Sequence, residues 1–399
     1  MSYPPDAVER AMRIQEVILH AMHGRQTWLQ AADVLGISPR TMRRWKWKYE
    51  HDGVKGLFDR RRRVPSPRRA PFAEVQRLVR LYREKYPGFN GRHFYQIVRR
   101  EHGVPFSYTF VKLALQGAGL LPKRRPRGRH RRRREPRACF GELLHLDGSR
   151  HAWLALCPDA RQTLLTVVDD ATKRLLYAQL VEGETTAAVM TALRSVLATH
   201  GIPMALYTDR AHWAFHTPRA GAGPDRTKLT QVGRALEQLG IEHIPAYSPQ
   251  ARGRSERVNR TLQDRLVNEL RVVQIRTVAA ANRSLQERFV PTYNETFGRA
   301  PVDAEPAFVP SGRVDLNQIL CHEEARTVGQ DNTLALGGVP LQIDKQPGRR
   351  TCAGLRVLVR HHLDGHYSVW WGSRCLGRYD PQGRRRLALS PPTSERVSA

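Results

Sequence analysis

The chain has 399 residues, 40% of them apolar, enough to pack two to four compact domains and to exclude global disorder. Its net charge is +29, and a surface this basic points to a polyanion, because phosphate contacts release condensed counterions. No run approaches the roughly eighteen uninterrupted apolar residues of a membrane span. The N-terminal MSYPPDAVER lacks an apolar signal core, so neither a membrane nor export is expected. Five cysteines lie far apart without metal-ligand spacing and read as reduced thiols in the cytoplasm.

Residues 1–64 read as a helix-turn-helix domain. Thr27–Leu35 and Pro39–Tyr49 have helical character, Gly36 supplies the turn, and Ser38 caps a second helix with Pro39 at its first position. Met42 and Trp45 would face the core with Ala31, Leu35 and Ile37. Arg40, Thr41, Arg43, Arg44 and Lys48 are then left outside to meet a DNA groove and its phosphates. The bland alternative is a helical hairpin with a solvated basic face. After a basic, proline-broken linker, residues 65–121 predict a second, winged-helix-like helical domain, with helices near Phe72–Lys85, Gly91–Glu101 and from Ser107 to Gly117. This unit would add DNA contacts or act as a spacer.

Residues 122–138 form a basic linker. Its core, Lys123 to Arg137, holds ten Lys/Arg against one Glu without apolar periodicity, and leaves about +20 on the rest of the chain. Lys123, Arg124 and Arg125 are its first candidates for phosphate contacts; a nuclear-address signal is the other reading of such a run.

Residues 139–300 alternate strand and helix patterns, which predicts an α/β domain. Strands are expected at Glu142–Leu146, Thr163–Asp169, Leu175–Val181, Met204–Thr208 and Ile241–Pro245. Helices are expected at Thr185–His200, Leu229–Leu239 and Arg254–Leu270. Residues 301–330 read as a connector, 331–388 as a small β-barrel-like domain, and 389–399 as a disordered tail. The fold class is therefore multidomain: all-α modules, an α/β core and a C-terminal β-domain.

Three acids in the α/β region fall where elements present them to one edge. Asp147 ends the first strand, Asp209 ends the fourth, and Glu256 lies in the first turns of the long helix. That helix has its apolar stripe at Val258, Leu262, Leu266 and Leu270. Glu256 stands about 200° from Val258 and faces away from the core beside Asn259, Arg260 and Gln263. Each acid alone is more ordinary: a cap, a turn residue, or half of an i,i+4 pair with Arg260. Together they suit phosphodiester chemistry, in which two Mg²⁺ ions activate the attacking oxygen and stabilise the leaving one. Asp169 and Asp170 are assigned to the turn before the third strand. Arg252, Arg254, Arg257 and Arg260 flank Glu256 and are candidates for phosphate contacts. Trp213 and Phe215 could stack on a splayed base, with core packing as the alternative.

The phrases LDGSRHAW (Leu146–Trp153), VVDDATKRLL (Val167–Leu176), YTDRAHWAF (Tyr207–Phe215) and SPQARGRSERVNRTLQDRL (Ser248–Leu266) carry a resemblance. This span is similar to the integrase core, a ribonuclease H-like domain, of retroviral integrases and of insertion-sequence transposases, most of all the ISNCY type. The resemblance implies that Asp147, Asp209 and Glu256 are catalytic and metal-binding, with two Mg²⁺ or Mn²⁺ ions. It implies a DDE transposase that frees 3′-OH ends of an insertion sequence and joins them to target DNA. Its partners would be double-stranded transposon ends and target DNA, engaged by a homo-oligomer on paired ends, in the bacterial cytoplasm at the nucleoid. Forty-six residues separate Asp209 from Glu256, a longer gap than is usual in the broader group; Thr217–Thr230 reads as the inserted loop. A non-catalytic, transposase-derived DNA-binding regulator, and a nuclease that cuts without joining, are the rival readings.

Overall fold

A computed structural model describes residues 5–59, 70–123, 135–159, 161–217, 225, 227–246, 255–312 and 314–386. Arg124, Arg125, Arg252, Arg254 and the expected C-terminal tail lie outside these residues. The chain divides into two compact units, 1–77 and 78–399.

In the first unit α1 (Pro5–Met22) buries Ile14, Val17, Ile18 and Ala21 against Ala31, Ala32 and Met42. α2 (Trp28–Val34) opens with a capping box, in which Thr27 accepts from the Gln30 amide and the Gln30 side chain accepts from the Thr27 amide. Gly36 takes a left-handed φ of 63° in the turn. α3 (Pro39–Asp52) begins as expected, with the Ser38 side chain accepting from the Thr41 amide and Pro39 in the first turn. Met42 is fully buried.

The second unit takes in the other three expected regions. α4 (Phe72–Glu84), from Leu78 onward, packs with α5 (Gly91–Glu101) and α6 (Tyr108–Gly117) around Tyr86, Phe89 and Phe94. A five-stranded sheet follows in the order β3-β2-β1-β4-β5: β1 (Leu143–His151), β2 (Gln162–Asp169), β3 (Leu175–Val181), β4 (Ala205–Thr208) and β5 (Glu242–Pro245). β1 pairs antiparallel with β2 and parallel with β4. Strand alternation sends Leu144 and Leu146 to one face, where α7 (Thr186–His200) and α8 (Gln231–Gln238) cover them. On the opposite face Leu164, Ala178 and Leu180 pack against α9 (Ser255–Val272) and α10 (Val278–Ser284).

A π-turn, Leu285–Phe289, joins α10 to α11 (Val290–Phe297) without a break. No element was expected here. Pro291 follows directly on the π-turn, where the helical hydrogen-bond ladder changes register. These helices also finish the sheet edge. Asn282 both accepts from and donates to the Leu180 backbone (2.7 and 2.9 Å), and Asn294 does the same at Leu175 (2.7 and 3.0 Å). Two amide side chains thus take the place of a neighbouring strand.

After α12 (Leu316–Ile319), β6 (Cys321–Thr327) joins β9 (Arg356–His362), β10 (Tyr367–Trp371) and β11 (Arg374–Tyr379) in the order β11-β10-β9-β6, while β7 (Thr333–Leu336) and β8 (Val339–Gln342) form a separate hairpin. The barrel-like expectation is corrected: among the described residues this sheet is open, ending on β11 and β6. β6 lies in the segment expected as a connector, because CHEEART has no apolar alternation. Its Glu323 is instead buried between Arg234 (3.4 Å) and Arg360 (2.8 Å).

Asn294→Ala should cost about 1–3 kcal/mol, since it leaves the Leu175 amide and carbonyl unmatched at the edge. Urea unfolding and amide exchange at Leu175 would register this; unchanged exchange there would show that the edge does not depend on the side chain.

Candidate active site

The last rung between β1 and β4 is His145 opposite Tyr207. Asp147 and Asp209 each follow two residues later; strand periodicity carries Asp147 toward the α9 face, and Asp209 stands just past the end of β4. Asp147 does not end its strand, contrary to expectation. β1 continues to His151, with Gly148–His151 paired to Leu165–Gln162 of β2. Gly148 lies within the ladder, where a Cβ would overlap the Glu184 carboxyl. That carboxyl accepts from Trp213 Nε1 at 3.3 Å. Glu184, on the sheet face opposite Asp147, carried no signal in the sequence.

Asp147 is 7% exposed and accepts a hydrogen bond from Asn259 Nδ2 of α9 at 2.9 Å. Gln263, one turn on, donates to Ser149 Oγ at 3.0 Å. These two contacts seat one face of α9 along β1. Glu256 is exposed in the turn before Asn259, on the same flank. Asp209 accepts from the Ala211 amide at 3.0 Å. Among the described residues no three His, Cys, Asp or Glu side chains gather closely enough to hold a metal ion. The fold therefore brings the Asn259 end of α9 to Asp147, with Asp209 just past the end of the neighbouring strand and Glu256 exposed one turn before Asn259.

Asp169 and Asp170 occupy the expected turn, but both are buried. Asp169 accepts from Gly141 N, Thr172 N and Thr172 Oγ1. Asp170 accepts from the Arg137 amide and holds His145 Nε2 at 2.8 Å. The His145–Asp170 pair was missed, being 25 residues apart in sequence. Trp213 is core, and Phe215 stacks on His243 at 4.1 Å.

Of the basic candidates, Arg40, Arg43 and Arg44 are exposed on α3, with Thr41 and Lys48 half-buried. Lys123, Arg257 and Arg260 are also exposed. Trp47, 56% exposed on α3 and stacked on His51, is an aromatic the sequence did not single out.

Residues 15–63 match the family model for a helix-turn-helix domain. The chain is 31% identical over 370 residues to "Putative transposase y4bF" of Sinorhizobium fredii (strain NBRC 101917 / NGR234), over 92% of this chain and 80% of that one. It is likewise 31% identical over 318 residues to "Transposase for insertion sequence IS1202" of Streptococcus pneumoniae, over 71% of this chain and 67% of the relative. Among solved structures, a chain of the simian T-cell lymphotropic virus intasome in complex with PP2A regulatory subunit B56 gamma is similar with a TM-score of 0.30 and 16% identity. That alignment covers 79% of this chain and 99% of the other. The HTLV-2 integrase catalytic core in complex with magnesium (trimeric form) gives a TM-score of 0.28 and 15% identity, over 37% of this chain and 82% of that one. No helix of the described residues is long and apolar enough to cross a membrane.

Next to Asp209, His243 Nε2 meets Thr208 Oγ1 at 2.9 Å, and burial pushes its pKa down to about 4. Between there and the ordinary histidine value near 6.5, the unfolded chain binds a proton that the folded core refuses. Stability should therefore fall as pH drops from about 6.5 to about 4. His243→Gln should flatten that part of a stability-versus-pH curve; an unchanged slope would assign the acid sensitivity elsewhere.

Proposed function

The chain belongs to the transposase family, and on that premise we propose that it binds the ends of an insertion sequence, cleaves them to free 3′-OH groups and joins these to target DNA. The observation that carries this reading is the strand register. Asp147 and Asp209 follow a paired His145–Tyr207 rung on parallel strands, under a helix that touches Asp147 through Asn259 and bears Glu256 one turn earlier. In this proposal the core is ribonuclease H-like and the chain is of the ISNCY type.

The donor chemistry of this trio fits a hard divalent cation, all oxygen and acidic. Asp147, Asp209 and Glu256 would hold Mg²⁺ or Mn²⁺, two ions in this reading, which when bound supply activation of the attacking oxygen and stabilisation of the leaving one. The protein's own part is positional. Asn259 and Gln263 fix α9 along β1, so that Asp147 is held while Glu256 stays on a helix turn free of core packing. Arg257 and Arg260, and Arg252 and Arg254 ahead of them, would hold phosphates of the reacting strand. Arg40, Thr41, Arg43, Arg44 and Lys48 would read or grip the ends, and Lys123, Arg124 and Arg125 would follow the backbone. Two paired ends call for a homo-oligomer acting on DNA in the cytoplasm.

Strand transfer with labelled element ends and Mg²⁺ tests the proposal. Asp147→Ala, Asp209→Ala and Glu256→Ala should each lose cleavage beyond the roughly 10–100-fold that removing a ligand's supporting hydrogen bond costs, while Asn259→Ala should fall within that range. Normal cleavage by any one acid variant removes it from the site. Specific end binding without cutting by the wild-type protein would turn the reading to a DNA-binding regulator. Arg43→Ala with Arg44→Ala should weaken end binding in gel shifts and lower its salt dependence by about one counterion per arginine.

A further inference from the structure

Beneath the first turns of α9 lies a cavity of about 190 Å³ that the proposed chemistry does not use. At its deepest are His145 and Asp170, both under 4% exposed. Tyr293 and Phe297 of α11 give it an aromatic wall, their rings 4.8 Å apart. Lys173, Arg257 and Arg299 supply positive charge, the first two from exposed positions.

The carboxylates lining this cavity are already engaged. Asp169 takes three hydrogen bonds from Gly141 and Thr172, and Asp170 takes the Arg137 amide and His145. An occupant would meet the aromatic rings, the remaining edge of His145, and the three cations, sharing them with the contacts they already make. That edge is informative. Nε2 meets Asp170, and Nδ1 is buried with no hydrogen-bond partner among the described residues. Such an atom in a native core calls for an explanation, and a polar atom of a ligand supplies one. Lys173 adds a second oddity: it holds a left-handed φ of 60°, a conformation that suits Gly or Asn better than Lys.

We propose that this cavity receives one unpaired nucleotide of the DNA end, its base against Tyr293 and Phe297, a polar atom of the base edge hydrogen-bonded to His145 Nδ1, and its phosphate at Lys173, Arg257 and Arg299. The inference rests on the transposase reading for its substrate. A planar ring suits an aromatic wall in a space this small, and a base pair does not fit it; a base must leave the stack to enter. The N-terminus of α9 adds partial positive charge for the same phosphate. Val258 and Ser255 line the cavity one turn or less from Asn259, which touches Asp147, so the nucleotide would neighbour the scissile position.

The test uses the full-length protein and a hairpin duplex ending in one unpaired 2-aminopurine nucleotide, beside a blunt hairpin with the 2-aminopurine paired. The wild type should quench the unpaired probe and bind it about tenfold more tightly than the blunt one, the scale of one stacked base. Thr261→Phe, which fills the cavity from α9, and Lys173→Asn, which keeps the backbone conformation, should erase that preference with blunt-hairpin affinity and circular dichroism unchanged. Equal preference in wild type and both variants would overturn the proposal. So would competition by inorganic phosphate as effective as by a nucleoside 5′-monophosphate, which reduces the cavity to an anion site. No cleavage enters the readout, so a protein inactive in strand transfer that still shows the preference keeps the cavity assignment and loses only the transposase mechanism.

Discussion

The two-sided pairing of β1 is the constraint on which the rest of this unit depends. Antiparallel to β2 and parallel to β4, it is the one strand whose neighbours run in opposite senses. The parallel side stops at His145 while the antiparallel side runs on to His151. Asp147 therefore stands where the sheet is continuous on one edge and open on the other. Its backbone is held by β2, while on the β4 side no rung reaches it. Asp209 leaves β4 at the same level.

Much of this architecture was legible because local chemistry and periodicity agree. Ser38, Pro39 and Gly36 mark the helix-turn-helix by capping and turn geometry that need only neighbouring residues. The core strands read correctly from runs such as TLLTVVD, every residue of which is buried. The failures have a common origin in long-range contacts. β6 pairs through CHEEART, whose charges are satisfied by Arg234 and Arg360 from distant elements, so no alternation betrays it. α11 tolerates Pro291 because a π-turn shifts the preceding ladder. Asp147 looked terminal because it follows the short apolar run Leu143–Leu146, whereas the pairing of Gly148–His151 with β2 is a contact between residues distant in sequence. The trio was legible as residue types in an order; Asn259 and the His145–Asp170 pair were not, since their partners are assigned only by the sheet.

Charge organises the molecule at two ranges. The net +29 is a long-range property that draws DNA from any direction and weakens with salt. Buried acids do different work at short range. Asp169 fastens the start of β1 to the end of β2 through Gly141, and Asp170 fixes His145 and the chain at Arg137. These carboxylates spend their charge on backbone amides, which is why they belong to the scaffold although they sit beside acids assigned to chemistry. Sequence proximity does not separate the two roles; hydrogen-bond saturation does.

The helix that bears Glu256 is also the place where the second helical set is attached. Asn90 donates to Asp264, His93 meets Glu269 at 2.9 Å, and Gln96 accepts from Arg265 at 2.8 Å. These are polar and charged contacts along α9, with Val272 adding an apolar edge at its far end. Such an interface fixes orientation more than it adds stability, because each group must find its own partner and gives up hydration to do so. α9 is thereby clamped from both sides, to β1 through Asn259 and Gln263 and to α5 through the next turns. The helix that carries Glu256 is therefore positioned by the sheet and by α5 together, through side-chain hydrogen bonds on two of its faces.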